Sequence, residues 1–84
     1  MMYNIIFRTP ALKFLKKLKK QDKKKVFEKI NKLKNNPYLG KRLSGNLFGL
    51  WGLRFDKFRI IYEVKENEIT IYIMNIGHRK DIYN

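Results

Sequence analysis

Three arginines stand among the apolar residues of the second half of the chain. Arg54, Arg59 and Arg79 are the only arginines after Leu43, and each lies within or at the end of an apolar run. A guanidinium group stays charged at any working pH and offers a planar fork of donors that matches a phosphate group. Because charged side chains lower the stability of an apolar sheet, we expect these arginines to bind a phosphate-bearing partner.

The positive charge of the chain is unevenly distributed. The net charge is +13, from 20 lysines and arginines against 7 acidic residues. Residues 9–36 hold 11 lysines against Asp22 and Glu28, whereas residues 44–84 hold six basic and five acidic residues. Such an excess attracts nucleic acid or an acidic protein. Alternatively, the lysines only form a solvated helical face. The pI near 10.2 favours a nucleic acid or an acidic protein as partner.

Length and composition limit the classes of protein. The 84 residues predict a single domain with a small core. No cysteine is present, so a disulfide framework and a thiolate metal site are excluded. The first residues lack the pattern of a signal peptide, and no apolar run is long enough to span a membrane. We therefore expect a cytoplasmic protein that has no membrane partner.

The first half of the chain predicts a strand and two helices. Residues 3–8 have the composition of a short strand, and Thr9-Pro10 is a helix start with Thr9 as N-cap. A second helical stripe ends at Asn35-Asn36-Pro37, because the residue before proline avoids helical geometry. The short link near residue 21 predicts an antiparallel helix hairpin over residues 10–36.

The second half predicts a loop over residues 37–46 and three strands over 47–55, 58–64 and 68–76. Short turns join these strands, so they pair antiparallel. The fold class is then α+β, a compact β-α-α-β-β-β domain whose antiparallel-dominated sheet packs on the helix hairpin. Alternation places Arg54 and Arg59 on the sheet face away from the helices. The residues predicted to be buried against the hairpin are Trp51, Leu53, Phe58, Ile60 and Ile71.

A family resemblance rests on an ordered series of residues: Leu43-x-Gly45, Leu53-Arg54, Arg59-Ile60-Ile61-Tyr62, Gly77-His78-Arg79 and Tyr83. This series resembles the RelE/ParE toxin superfamily, and within it the RelE branch of type II toxin–antitoxin modules. The resemblance implies a microbial-ribonuclease-like fold and cleavage of messenger RNA in the ribosomal A site. It also implies two partners, the ribosome with its mRNA and a cognate RelB-like antitoxin that is small, acidic and largely helical.

The resemblance also implies roles for single residues. Arg59 lies on the substrate phosphate, Arg79 near the leaving group, and Arg54 matches a further basic position. Tyr83 matches a late tyrosine that stacks on the substrate base or aids proton transfer. The chain has one histidine, His78, and no clustered carboxylates, so neither a histidine pair nor a carboxylate-held metal is expected, and no cofactor is implied. Four further basic residues are candidates for RNA binding: Lys41, Arg42, Lys57 and Lys80.

Leu50 and Gly52 stand where the best-known bacterial members carry lysines that supply the general base. Lys57 is a possible substitute, and the base stays unassigned. Two alternative functions therefore remain open: a non-catalytic toxin that binds RNA or the ribosome, and a ParE-like inhibitor of DNA gyrase. Structural roles also remain open, since the arginines can pair with carboxylates. The candidate pairs are Arg54 with Glu63, Arg59 with Asp56 or Glu66, and Arg79 with Asp81.

Overall fold

The structure, a computed structural model, describes residues 2–80. Its elements are β1 (Asn4–Phe7), α1 (Thr9–Lys17), α2 (Lys20–Asn35), β2 (Lys41–Arg42), β3 (Trp51–Phe55), β4 (Phe58–Lys65) and β5 (Thr70–His78). The five strands form one sheet in the order β1-β5-β4-β3-β2, in which only the β1–β5 pair is parallel. This arrangement confirms the predicted α+β class with an antiparallel-dominated sheet.

The two helices cover one face of the sheet. Leu15 of α1 and Ile30 of α2 belong to a cluster of buried apolar residues that includes Phe58, Ile60 and Ile71 of the sheet. Trp51 and Leu53 pack on this cluster but are only half-buried, because they lie on β3 near the edge of the sheet. The prediction of a core between hairpin and sheet is thus confirmed. Neither helix in residues 2–80 combines the length and the apolar character needed to cross a membrane.

A bulge interrupts the pairing of β4 with β5. Ile61 lies opposite Asn75, whereas the next residue, Tyr62, lies opposite Ile73, so one residue of β5 is extra. The bulge ends the simple alternation that the sequence predicts for this strand. As a result His78 lies opposite Phe58 on the helix side, and Gly77 lies opposite Arg59 on the outer face.

Several element boundaries differ from the sequence prediction. The strand expected over 47–55 begins at Trp51, because residues 45–47 form a 3-10 turn and Gly49 has a φ of +94°. The segment 37–46, expected to be a loop, contains the two-residue strand β2, which pairs with the start of β3. The strand expected over 68–76 runs from Thr70 to His78, since Ile69 has a φ of +51°. Helix α1 has Arg8 and not Thr9 as its N-cap residue.

Candidate active site

Arg54 and Arg59 are directly opposite each other on neighbouring strands. They form a cross-strand pair of β3 and β4, on the face that the helices leave uncovered. Arg59 is only 6% exposed, while Arg54 is exposed. Like charges directly opposite each other destabilise a sheet. Two guanidinium groups on facing positions concentrate positive charge, which favours an anionic ligand.

Gly52 provides the space in which the Arg59 guanidinium lies. A Cβ atom at position 52 would be 3.0 Å from Nη2 of Arg59, 3.1 Å from its Nε and 3.1 Å from Cδ2 of Leu43. The guanidinium therefore packs against the bare backbone of β3. Sequence reasoning noted Gly52 only as a missing lysine and did not find this contact, since nothing in the local pattern indicates it.

Arg54 and Arg59 line a cavity of about 350 Å³, here named the basic cavity. Residues 39–43 form one wall, and residues of β3 and β4 form the other. Its lining residues are Leu39, Gly40, Lys41, Arg42, Leu43, Gly52, Leu53, Arg54 and Arg59. Within the described part of the chain no carboxylate lines it. The structure thus brings together four of the predicted site residues, Lys41, Arg42, Arg54 and Arg59.

Tyr62 holds the wall of the basic cavity in place. Its buried hydroxyl donates to the carbonyl oxygen of Pro37 at 2.8 Å and accepts from the backbone N–H of Gly40 at 3.1 Å. Burial raises the pKa of the Tyr62 hydroxyl, which keeps this donor protonated. Gly40 is required here, because a Cβ at that position would lie 2.5 Å from the backbone oxygen of Gly52.

Arg79 lies in a second cavity, of about 440 Å³, which it lines with Lys57, His78 and Lys80. The Arg79 backbone N–H donates to the carbonyl oxygen of Lys57 at 3.0 Å, and Nη1 donates to that of Asp56 at 3.1 Å. The turn between β3 and β4 therefore positions this arginine. The structure places Arg79, Lys57 and Lys80 together but not in the basic cavity, and Tyr83 and Asp81 lie outside the described residues.

Two of the carboxylates considered as arginine partners, Asp56 and Glu63, contact lysines. Asp56 accepts from Nζ of Lys25 at 3.0 Å, and this hydrogen bond lowers the pKa of Asp56. Glu63 is 3.6 Å from Nζ of Lys65. The His78 ring stacks on Phe58 at 5.5 Å between centroids, which suits a packing residue. Among residues 2–80, no three His, Asp or Glu side chains lie close enough to hold a metal ion together.

Residues 5–83 match the family model of the ParE toxin of type II toxin–antitoxin systems. The chain therefore belongs to this toxin family. A RelE4-named protein of Methanocaldococcus jannaschii is 33% identical over 86 residues, covering 98% of this chain and 92% of the relative. Toxin RelG of Mycobacterium tuberculosis is 32% identical over 85 residues, covering 99% of this chain and 98% of the relative.

A solved structure agrees with the fold. The toxin–antitoxin complex RelBE2 of Mycobacterium tuberculosis contains a chain that matches with a TM-score of 0.87 and 28% identity. The match covers 94% of this chain and 100% of that one. The RelE/ParE superfamily predicted from the sequence is thus confirmed, and this chain is a RelE-like toxin of a type II toxin–antitoxin system.

Proposed function

We propose that this toxin is a ribosome-dependent endoribonuclease that cleaves messenger RNA in the ribosomal A site. The observation that carries the proposal is the Arg54–Arg59 pair, which lines the basic cavity together with Lys41 and Arg42. A phosphodiester is an anion whose oxygens can accept hydrogen bonds from two guanidinium groups at once. The RelE names of the relatives favour the RelE branch, for which the sequence resemblance implies RNA as the source of that phosphate. The ParE name of the family model keeps the ParE-like alternative open.

The proposed reaction is attack of the ribose 2′-oxygen on the adjacent phosphorus. The 2′-hydroxyl gives up its proton and its oxygen forms the new P–O bond, while the bond to the 5′-oxygen of the next nucleotide breaks and that oxygen takes up a proton. The products are a 2′,3′-cyclic phosphate and a 5′-hydroxyl. Arg59, with Arg54 beside it, stabilises the charge that develops on the phosphate oxygens. Arg79, in the neighbouring cavity, interacts with the leaving oxygen.

The general base stays unassigned in this proposal. Gly52 has no side chain, and its space is taken by the Arg59 guanidinium. Lys57 forms an ion pair with Asp22 at 3.7 Å and lines the cavity of Arg79, not the basic cavity. Orientation of the RNA by the ribosome would then supply much of the acceleration, which amounts to about 7–11 kcal/mol where the geometry is ideal. Weak cleavage of free RNA is expected for this reason.

The test compares cleavage of ribosome-bound message by wild type, Arg59→Ala and Arg79→Ala. Loss of one charge-stabilising donor typically lowers the rate about 10²- to 10³-fold, so each variant should fall by that factor. Arg8→Ala is the matched control, since Arg8 lies over the Tyr72 ring and lines neither cavity. Cleavage sites and rates are measured by primer extension.

Two results would overturn the mechanism. One is undiminished cleavage by Arg59→Ala and Arg79→Ala together with normal folding. The other is absence of any cleavage by the wild type on ribosomes, combined with inhibition of supercoiling by purified gyrase. That second result would support the ParE-like alternative, and binding to ribosomes without cleavage would support the non-catalytic one.

We further propose that a cognate RelB-like antitoxin, small, acidic and largely helical, neutralises the toxin. A groove of about 170 Å³ between the helices has apolar walls that include Leu12, Leu15 and Phe27. Lys16 and Lys23 also line it. The apolar walls of the groove fit the apolar face of an amphipathic helix, and the two lysines fit its acidic flank.

A further inference from the structure

A third cavity, of about 210 Å³, borders the basic cavity and is here named the aromatic cavity. Its lining residues are Arg42, Leu43, Phe48, Gly49, Leu50, Trp51 and Val64. Arg42 and Leu43, beside the sheet edge at β2, line both cavities. The basic cavity contains the outer-face residues Arg54 and Arg59, whereas the aromatic cavity contains Trp51 and Val64, which pack toward the core. An extended ligand that occupies the basic cavity can therefore reach the aromatic one around the sheet edge at β2.

The loop over residues 43–50 holds Phe48 outward. Its ends are joined by a hydrogen bond from the Leu43 N–H to the Leu50 carbonyl oxygen at 3.0 Å, and the Phe48 N–H donates to Gly45 at 3.1 Å. Gly45 and Gly49 have φ angles of +64° and +94°, which glycine adopts without steric cost. Phe48 is 85% exposed. A hydrogen-bonded loop thus presents a large aromatic ring to solvent at the wall of a cavity.

The planar, positively charged guanidinium group of Arg42 also lines the aromatic cavity. The Arg42 guanidinium lies 5.3 Å from the centroid of the Trp51 ring, and Trp51 stacks on Tyr62 at 6.4 Å with an interplanar angle of 21°. No carboxylate of the described residues lines this cavity. Exposed aromatic rings beside guanidinium planes are the surfaces on which unpaired nucleobases stack.

We propose that the aromatic cavity binds one nucleobase of single-stranded RNA, stacked between Phe48 and the Arg42 guanidinium. This base belongs to the same RNA strand whose phosphate occupies the basic cavity, at a nucleotide that lies past the sheet edge at β2. The inference rests on the proposed RNA substrate and adds a contact that selects for an unpaired base. It does not depend on the cleavage step, because stacking requires only the ring and the guanidinium plane.

The test measures binding of a short single-stranded RNA whose 2′-hydroxyls are all methylated, so that it cannot be cleaved. Trp51 is the only tryptophan, and its fluorescence reports a base bound in this cavity. Phe48→Ala should weaken binding at least about fivefold, since stacking on an aromatic side chain contributes that much or more per base. Phe48→Tyr keeps the ring and should retain affinity. Ile6→Ala removes a 43% exposed apolar side chain that lines neither cavity, and it should bind as the wild type does.

An oligonucleotide with the same backbone but without bases distinguishes the contribution of base stacking to affinity from that of phosphate charge. The wild type should bind it as weakly as Phe48→Ala binds the complete oligonucleotide, and Phe48→Ala should show no further loss. Equal binding by wild type and Phe48→Ala would overturn the inference, as would loss of antitoxin affinity alone in Phe48→Ala, which would assign Phe48 to a protein interface. Cleavage by Arg59→Ala on ribosomes reports separately on the proposed function.

Discussion

Arg59 combines two features that are unfavourable for stability alone. It is 6% exposed, and a second arginine, Arg54, lies directly opposite it. Burial of charge and repulsion between like charges both oppose folding. A phosphate bound between the two arginines would attract both of them. At the scale of single residues, Gly52 leaves the space for the buried guanidinium, since a Cβ there would lie 3.0 Å from Nη2 and 3.1 Å from Nε.

Gly52→Ala should impair cleavage more than it impairs folding. The new Cβ would lie 3.0 Å from the flexible end of Arg59, which must shift, and such a misplacement can lower the rate about 10²-fold. Primer extension measures the rate, and urea unfolding measures the stability. Gly40→Ala is the contrasting variant, because its Cβ would meet the backbone oxygen of Gly52 at 2.5 Å and should destabilise the protein. Full activity in Gly52→Ala would show that the position of Arg59 is not critical.

At the scale of elements, the site depends on how the segment before β2 is attached to β4. Tyr62 lies in the middle of β4, and its hydroxyl binds both Pro37 and Gly40. The turn between β3 and β4 is attached to α2 in a similar way, through the hydrogen bond between Lys25 and Asp56. These attachments connect chain segments that are more than twenty residues apart, 25 in the case of Tyr62 and Pro37.

Tyr62→Phe should lower the free energy of unfolding by about 1–3 kcal/mol, because it leaves a buried carbonyl oxygen without its donor. Burial raises the pKa of the Tyr62 hydroxyl above its ordinary value of 10.0, so the folded state holds this proton more tightly than the unfolded state. Its contribution to stability is complete below pH 10 and declines as the pH rises further.

Denaturant unfolding as a function of pH checks this prediction. The wild type should lose stability above pH 10 more steeply than Tyr62→Phe, so the difference between them should shrink there. Tyr38→Phe removes a hydroxyl from an exposed tyrosine of the preceding segment and serves as the control. A difference that stays constant with pH would show that Tyr62 does not titrate as described.

At the scale of the whole molecule, the net charge of +13 sets up a long-range field. The ion pairs found in residues 2–80 involve Asp22, Asp56 and Glu63, and none of them neutralises Lys16 or Lys23 beside the helix groove. Such a field increases the rate of encounter with an acidic partner and is screened by salt.

Added salt should therefore slow association with the antitoxin more than it speeds dissociation. The double variant Lys16→Glu/Lys23→Glu changes charge at the groove, and Lys24→Glu/Lys65→Glu makes the same change outside it. Both should associate more slowly, whereas only the groove variant should dissociate faster. Surface plasmon resonance at several salt concentrations measures both rates. Equal dissociation rates would place the antitoxin elsewhere on the toxin.

The sequence by itself determined the order of the two helices and the four longer strands, the fold class and the family, but not strand β2. It also placed Arg54 and Arg59 on the outer sheet face, because a strand alternates with a period of two and local turn residues mark its ends. These are properties of neighbouring residues, which the printed sequence contains. The role of Tyr83 stays a prediction, since the structure describes residues 2–80.

The tertiary structure decided which side chains meet. The β4–β5 bulge turned His78 toward the helices and Gly77 toward Arg59, a shift that no local pattern indicates. The Arg59 guanidinium lies in the space that the missing side chain of Gly52 leaves. The Tyr62 hydroxyl donates a hydrogen bond to Pro37 and so holds the wall of the basic cavity. Arg79 came to lie in a cavity separate from that of the other two arginines. Contacts of this kind join residues far apart in the chain, so they depend on strand register and packing, which only the folded molecule defines.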